Sequence, residues 1–566
     1  MKKSFRNFLL AGAWLLSLSA LRAQSTDSAS AAAGPSWPKA DPAAVARWRA
    51  LRFGMFIHWG PVSLTAKEIG WSRGAETPIE VYDNLYKQFN PTNFNADAWV
   101  SIAKAAGMKY IVLTTKHHDG FCLWDTQQTD YNIMHSPFHR DVVKELAAAC
   151  KKQGIAFGTY YSVTDWHHPD FPLTSPGGEV KREKSDLDSY NRYLLAQISE
   201  LITNYGPLLT LWNDVPQQFK GRGAATIKLA RSLQPDILIN NRTGDGGDYD
   251  TPEQEIGKFQ MDRPWESCMT ISKSGQWAWG GPQDGVKSTA ACLEMIIRGA
   301  GGDGNILLNV GPRPDGMIDP EQASRLKDIG AWLAKNGQSI YGTRGGPWKP
   351  TRSIASTRKG NTVFIHVMRS EDGRVELPGI PAEIQSASLL GGAEVQFSQK
   401  DGKLLVMIPL SSLVPIDTIV KLQLNGSALD LPVLESASGI KASASNTYQG
   451  EEEQFGPQNA FDDDPGTRWA TDAGTKQAWI AADLGQPKTI AAVHIQEAVP
   501  YTGRVAKFEF QYRLNGAWET IFTGDVVGAD FQKEFAPVTA REFRLNILDA
   551  TEGPTIAEIK LVEQKQ

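Results

Sequence analysis

From about Ala44 to Trp348 the chain repeats one unit: a short apolar run, a cluster of polar residues at its end, then a stretch with the spacing of an amphipathic helix. The pattern predicts strands at Phe53 to Trp59, Tyr110 to Lys116, Ala156 to Ser162, Leu208 to Asp214, Ile237 to Arg242, Ser267 to Ile271 and Asn305 to Val310. Between them it predicts helices over Asp97 to Ala106, Val142 to Gln153, Leu187 to Tyr205, Ala224 to Leu233, Ser288 to Gly299 and Glu321 to Lys335. Parallel strands need crossovers long enough for a helix, so this alternation reads as a parallel sheet wrapped by helices. Seven strands over about 300 residues approach a (β/α)8-like barrel, in which reactive groups collect at the C-terminal ends of the strands. No eighth unit stands out.

The rest of the chain follows other patterns. Residues 1–23 start with Lys2, Lys3 and Arg6, pass through an apolar run from Phe8 to about Ala20 and reach Ala23, as a secretory signal peptide does. That run is shorter than the ~20 residues that span a bilayer, and nothing later is long and apolar enough, so an exported protein without a transmembrane segment is expected, periplasmic or secreted. Residues 24–43, rich in Ala and Ser, read as a linker to a catalytic barrel over 44–348. Period-two alternation at Asn361 to Met368, Arg374 to Leu377 and Lys403 to Ile408 predicts a small antiparallel β-sandwich over 349–428. A second β-rich block fills 436–566. The net charge of -5, from 58 Lys and Arg against 63 Asp and Glu, offers no basic field for nucleic acid. Cys122, Cys150, Cys268 and Cys292 are too few for a disulfide scaffold and form no CxxC, so buried thiols are expected.

Polar residues close the barrel strands: His58 and Trp59, then His117, His118 and Asp119, then Tyr160 and Tyr161, Asn213 and Asp214, Asn241 and Arg242. Seven of the nine histidines lie between His58 and His168, which points to one polar pocket; satisfied core histidines are the plainer alternative. A metal site is another, since His117, His118 and Asp119 carry ligand chemistry. Against it, adjacent residues of a regular strand face opposite sides, so the two imidazoles would not reach one ion. Imidazoles, indoles, tyrosines and an arginine around one carboxylate suit a neutral, hydroxyl-rich ligand such as a sugar. Asp214 ends an apolar strand where a barrel presents a nucleophile. It can attack an anomeric carbon if a second carboxyl group lies about 5 Å away. The alternative is an N-cap for the next segment.

The segments FGMFIHWGPVS, KYIVLTTKHHDGFCLWDT, FGTYYSVTDWHHPD, LLTLWNDV, DYDTPEQEI, RPWESCMTI and NILLNVGPRPDGMI, in this order, resemble the family 29 glycoside hydrolases, retaining α-L-fucosidases. The resemblance runs from about Trp48 to Tyr341. It implies Asp214 as nucleophile, with fucose contacts from His58, His117, His118, Tyr160, Trp212 and Arg242. It puts the acid/base on a variable loop, with Glu253 first and Glu266, Glu255 and Asp248 as rivals; a buried strand start would raise the Glu266 carboxyl and suit an acid. Glu68 and Trp71, in EIGWSRGAETP, are implied contributors to the sugar or aglycone pocket. The family's SWGY segment is altered to GQWAWGG, and no GNE motif of the branch restricted to branched linkages occurs. The implied activity is release of terminal α-L-fucose from fucosylated glycans by double displacement, with no catalytic cofactor. The alternatives are a related glycosidase for a galactose-like sugar and an inactive glycan-binding protein.

At the C-terminal end NAFDDDPGTRWAT, WIAADLG and IAEIKLVE resemble a discoidin or coagulation-factor type C domain, a β-sandwich jelly roll that serves glycosidases as a carbohydrate-binding module. The resemblance implies a structural Ca2+ on Asp462, Asp464, Thr467 and Glu558, oxygen ligands that suit a hard cation. A solvated acidic turn is the alternative. Tyr448, Phe455 and Tyr501 stand on loops from which they would stack on sugar or fill a core.

Overall fold

The computed structural model describes residues 37–564 apart from 177–180, 371, 435–439, 463–465 and 500; the expected signal peptide, most of the expected linker and Asp464 lie outside the described residues. Seven parallel strands form the first sheet: β1 (Phe53–Ile57), β2 (Tyr110–Lys116), β3 (Ala156–Ser162), β4 (Thr210–Asp214), β5 (Leu238–Ile239), β6 (Glu266–Thr270) and β7 (Asn305–Val310). Their order is β5-β4-β3-β2-β1-β7-β6. Every residue of β1, β2, β6 and β7 is buried, as parallel strands covered on both faces must be.

The sheet curls so that β5 and β6 come close, and residues 249–254 lie between them. Isolated parallel bridges join Asn240 to Tyr249, Asp250 to Trp265 and Glu253 to Cys268. This stretch occupies the eighth strand position. Its sequence, YDTPEQ, has no apolar run, and Pro252 has no N–H to give a ladder. The fifth strand is shorter than the expected Ile237 to Arg242 for a local reason. The Asn240 side-chain amide takes over the pairing with β4, accepting from Asn213 N at 2.7 Å and donating to Asn213 O at 2.9 Å.

The covering helices start and stop where their caps allow. Asp141 accepts from Lys144 N to begin Val142–Gln153, and Gly154 ends it in the left-handed conformation at φ 73°. Asn95, Asp186, Ser288 and Asp319 cap Ala96–Ala105, Leu187–Tyr205, Thr289–Gly301 and Pro320–Asn336 in the same way. The helices bury one face against the strands, while Phe56, Tyr110, Tyr160, Trp212, Tyr249 and Leu307 fill the barrel interior. Gly54 has no side chain because the Tyr110 ring occupies the space where a Cβ would stand.

At the N-terminal end of the strands Asp303, wholly buried, accepts from Arg49, Arg52 (2.7 Å), Arg344 (2.7 Å) and Gly345 N (3.0 Å). Arg344–Gly345 already pairs with Ile354–Lys359 of a five-stranded antiparallel sheet, which packs on a three-stranded one around Val363, Leu404 and Leu422. The last domain is a seven-stranded antiparallel sheet built on two 20-residue strands, Ala478–Glu497 and Phe531–Ala550, around Trp469, Phe508, Phe510 and Phe543. All four cysteines are buried and unpaired. Among the described residues no helix is long and apolar enough to cross a membrane.

Candidate active site

One pocket opens at the C-terminal ends of the strands. It is lined by Asp214, Glu253, His58, His117, His118, Tyr160, Trp212, Arg242 and Trp71, all anticipated, and by Phe56, Val215, Cys268 and Trp277, which were not. Each main-chain origin is simple. Tyr160 and Trp212 are register partners on β3 and β4 and stack at 5.5 Å between ring centroids. His117 and His118 follow the last residue of β2, so the strand's alternation no longer applies to them and both rings turn inward, 4.0 Å apart. The argument that neighbours face opposite sides therefore fails here. Among the described residues no group of three or more His, Cys, Asp or Glu is arranged to hold a metal ion.

Asp214 is not a helix cap. Its Oδ1 accepts from Arg242 Nη1 at 2.7 Å and its Oδ2 from the Tyr160 hydroxyl at 2.8 Å, with His118 Nε2 3.8 Å away. Burial alone would push its carboxyl up, but the Arg242 guanidinium and the Tyr160 hydroxyl outweigh it and hold Asp214 below the ordinary range, as an anion. Arg242 Nη1 also donates to Glu253 Oε2 at 2.9 Å, while Nη2 is tied to Thr251 O at 2.8 Å. The guanidinium lies over the Trp212 ring at 5.0 Å. Both carboxylates end on the same nitrogen, so the two oxygens can be no farther apart than 2.7 Å plus 2.9 Å.

The imidazoles are neutral acceptors. His58 Nδ1 donates to Asn309 Oδ1 at 2.6 Å, which leaves Nε2 with a lone pair. Ser162 Oγ spends its proton on Thr164 O (2.6 Å), so it accepts from His118 Nδ1 (2.6 Å) and His118 Nε2 is likewise unprotonated. Burial pushes His58 down to about 3 and His118 to about 4, and drives His117 well below its usual value. Two such nitrogens are acceptors suited to hydroxyl donors, next to an anion and aromatic faces.

The rivals for the second carboxyl stand elsewhere. Glu266 opens β6 deep in the barrel, where its carboxyl accepts from the Tyr110 hydroxyl and from Trp212 Nε1 at 3.2 Å, and burial pushes it up to about 7. It supports the Trp212 indole from below. Asp248 is held by Arg231 (2.8 Å) and Ile239 N (2.8 Å), away from the pocket. Glu255, pushed up by burial, lines a separate cleft with Lys258 and Lys349. Glu68 does not line the pocket either; it stands behind Trp277. Trp71 is exposed at the mouth, edge-on to His118 (5.4 Å) and Trp166 (5.3 Å). In the last domain Thr467 Oγ1 lies 2.8 Å from Asp462 Oδ2 and 3.1 Å from Asn459 O, Glu558 stands on the last strand, and Asp464 is outside the described residues.

Comparison with known proteins agrees with this geometry. Residues 20–338 match the family described as Alpha-L-fucosidase, and residues 440–560 match the F5/8 type C domain. Human tissue alpha-L-fucosidase is 29% identical over 383 residues, 61% of this chain and 80% of that protein. Among solved structures, alpha-L-fucosidase isoenzyme 1 from Paenibacillus thiaminolyticus superimposes with a TM-score of 0.63 at 34% identity, covering 68% of this chain and 99% of that one. A GH29 alpha-L-fucosidase from Bacteroides thetaiotaomicron, solved as a trapped covalent intermediate with 2-fluoro-fucosyl fluoride, gives 0.63 at 25% identity over 69% of this chain and 97% of its own.

Proposed function

The chain belongs to the alpha-L-fucosidase family of glycoside hydrolases, and from that premise we propose that it is an exo-acting, retaining α-L-fucosidase. The observation that carries the retaining mechanism is the single Arg242 nitrogen shared by Asp214 and Glu253. The nearest oxygens of the two carboxylates are thereby held no farther apart than 2.7 Å plus 2.9 Å, which favours the roughly 5–5.5 Å spacing of retaining enzymes over the roughly 6.5–9.5 Å that leaves room for a water in an inverting one. The covalent intermediate trapped in the Bacteroides relative supports the same reading.

In this mechanism Asp214, ionised by Arg242 and Tyr160, attacks the anomeric carbon of a terminal α-L-fucosyl unit. Glu253 donates a proton to the departing glycosidic oxygen, and a fucosyl ester forms on Asp214 with inverted configuration. Glu253, now ionised, takes a proton from water; that water attacks the same carbon, releases Asp214 and inverts the centre a second time. His58 and His118 accept hydrogen bonds from ring hydroxyls, while Tyr160 and Trp212 line the apolar side.

The same reading treats residues 1–23 as an export signal and the last domain as a module that holds the enzyme near fucosylated glycans. It assigns a structural calcium to the loop of Asp462, Asp464 and Thr467 with Glu558; the oxygen-only donors gathered around Thr467 suit a hard cation. The test is the configuration of the first product. With 4-nitrophenyl α-L-fucoside followed by NMR, α-L-fucose accumulates before mutarotation. First appearance of β-L-fucose rules out double displacement, and turnover of an α-galactoside instead of the fucoside would favour the galactose-like alternative.

A further inference from the structure

Trp277 sits on a long irregular connection between β6 and the helix Thr289–Gly301, yet its indole holds one position against the pocket, 5.0 Å from the His58 ring and 6.1 Å from Phe56. An irregular surface segment does not fix a side chain by itself. The fixing comes from two directions. Glu68, on the loop after β1, accepts from Trp277 N at 2.8 Å through Oε2, and from Ala278 N (3.1 Å) and Ile69 N (2.9 Å) through Oε1. On the other side Asn309 Nδ2 donates to Trp277 O at 2.7 Å, and the same Asn309 amide accepts from His58 Nδ1.

The loop that carries Glu68 is anchored in turn. Ser72 Oγ donates to Glu68 O at 2.6 Å, Gly70 N donates to the Tyr82 hydroxyl at 2.8 Å, and that hydroxyl donates to Asp119 Oδ2 at 2.7 Å, just beyond the end of β2. A rigid path therefore runs from the strand ends through the first loop to the Trp277 peptide. Burial pushes the Glu68 carboxyl up to about 7, a cost that three backbone N–H donors offset only in part.

We propose that Glu68 is a positioning residue of the sugar pocket. It clamps the Trp277 and Ala278 backbone so that the Trp277 indole forms the pocket wall beside His58 and packs on the apolar side of the bound sugar. The role rests on the fucosidase reading for the identity of the sugar, but the clamp itself rests on the contacts above. Glu68 does not touch the ring and acts only through Trp277.

A double-mutant cycle in the full chain tests this. Glu68→Ala, Glu68→Gln, Trp277→Ala and Glu68→Ala with Trp277→Ala are compared for kcat and KM on 4-nitrophenyl α-L-fucoside and for the dissociation constant of L-fucose by calorimetry. Glu68→Ala is expected to weaken fucose binding and raise KM by roughly tenfold with kcat within about threefold, and Glu68→Gln, which keeps one carbonyl acceptor, to fall between it and wild type. The double variant is expected to bind no worse than Trp277→Ala alone, within about twofold. Losses that multiply in the double variant, or a Glu68→Ala effect confined to kcat, overturn the proposal. If Glu68→Ala does not fold, the same cycle is run with Glu68→Gln. Failure of the fucosidase reading shows separately, as a wild type that does not hydrolyse the fucoside; the cycle read in fucose affinity still decides the clamp.

Discussion

Replacing Arg242 with Met tests the electrostatics of the site directly. The guanidinium gives Asp214 its 2.7 Å charge-assisted contact and lies 2.9 Å from Glu253, so the variant leaves a buried carboxylate with only the Tyr160 hydroxyl at 2.8 Å. A hydrogen bond to a charged group contributes about 1.5–3 kcal/mol. Its loss moves the Asp214 carboxyl upward, because burial is then the larger influence, and about 1.36 kcal/mol corresponds to one unit on the pH axis of the assay. On the proposed mechanism Asp214 attacks as an anion; in the wild type its carboxyl is held below the usual range, so acidification is expected to remove the nucleophile only at low pH. In Arg242→Met the acidic limb of kcat/KM, which reports the free enzyme, therefore shifts to higher pH by about one to two units. The assay is the pH profile of 4-nitrophenyl α-L-fucoside hydrolysis for both proteins, with folding checked by circular dichroism. An acidic limb that stays in place or moves downward refutes the claim that Arg242 sets the charge of Asp214. Arg242→Lys keeps the charge but not the fork that also reaches Thr251 O, and is expected to fall between the two.

Other consequences separate neighbouring roles. Glu253→Ala is expected to lower kcat/KM for a fucosyl oligosaccharide by about 10²–10⁴-fold and kcat/KM for an aryl fucoside with a good leaving group by much less, since only the first needs a proton donor to form the ester, whereas kcat falls for both because hydrolysis of the ester still needs the base. Glu266→Gln, which keeps a carbonyl acceptor for Trp212 Nε1, is expected to lose less than about tenfold on either substrate; the reverse order would make Glu266 the acid. Asp303→Asn leaves Arg49, Arg52 and Arg344 without their counter-charge and is expected to cost about 3–5 kcal/mol, a fall of several degrees in the barrel's melting temperature. Because Asp303 lies at the opposite end of the strands from the pocket, kcat/KM at 25 °C should stay within about threefold, and a larger loss would contradict the separation of the two ends.

The sequence was most legible where burial acts on both faces of an element. Tyr110–Lys116, Ala156–Ser162 and Asn305–Val310 agree with their expected bounds to the residue, because continuous apolar runs between polar clusters leave little choice of register. Legibility failed where side chains replace backbone. Asn240 ends β5 early by pairing through its amide, and residues 249–254 complete the barrel through three bridges without any apolar pattern. The site divides the same way. Residues at strand ends, such as His58, Asp214 and Arg242, could be found by position. Trp277 could not, since it reaches the pocket from a loop and is held by Glu68, 209 positions earlier. The GQWAWGG departure from the family pattern was the one signal that pointed there. Glu266 looked like a candidate acid because a buried carboxyl has a raised pKa, but only coordinates reveal that its oxygens meet Tyr110 and Trp212 deep in the barrel. The His117 and His118 alternation argument failed because β2 stops at Lys116, one residue before it would have applied.

The most direct test of the account is Asp214→Gly assayed on 4-nitrophenyl α-L-fucoside with and without azide. The account predicts that the variant loses at least about 10³-fold in kcat, and that azide, entering the space of the missing carboxylate, restores release of nitrophenol and accumulates β-L-fucosyl azide. A variant that keeps near wild-type turnover, or one that azide leaves silent while it still binds fucose, contradicts Asp214 as the nucleophile and with it the double-displacement mechanism.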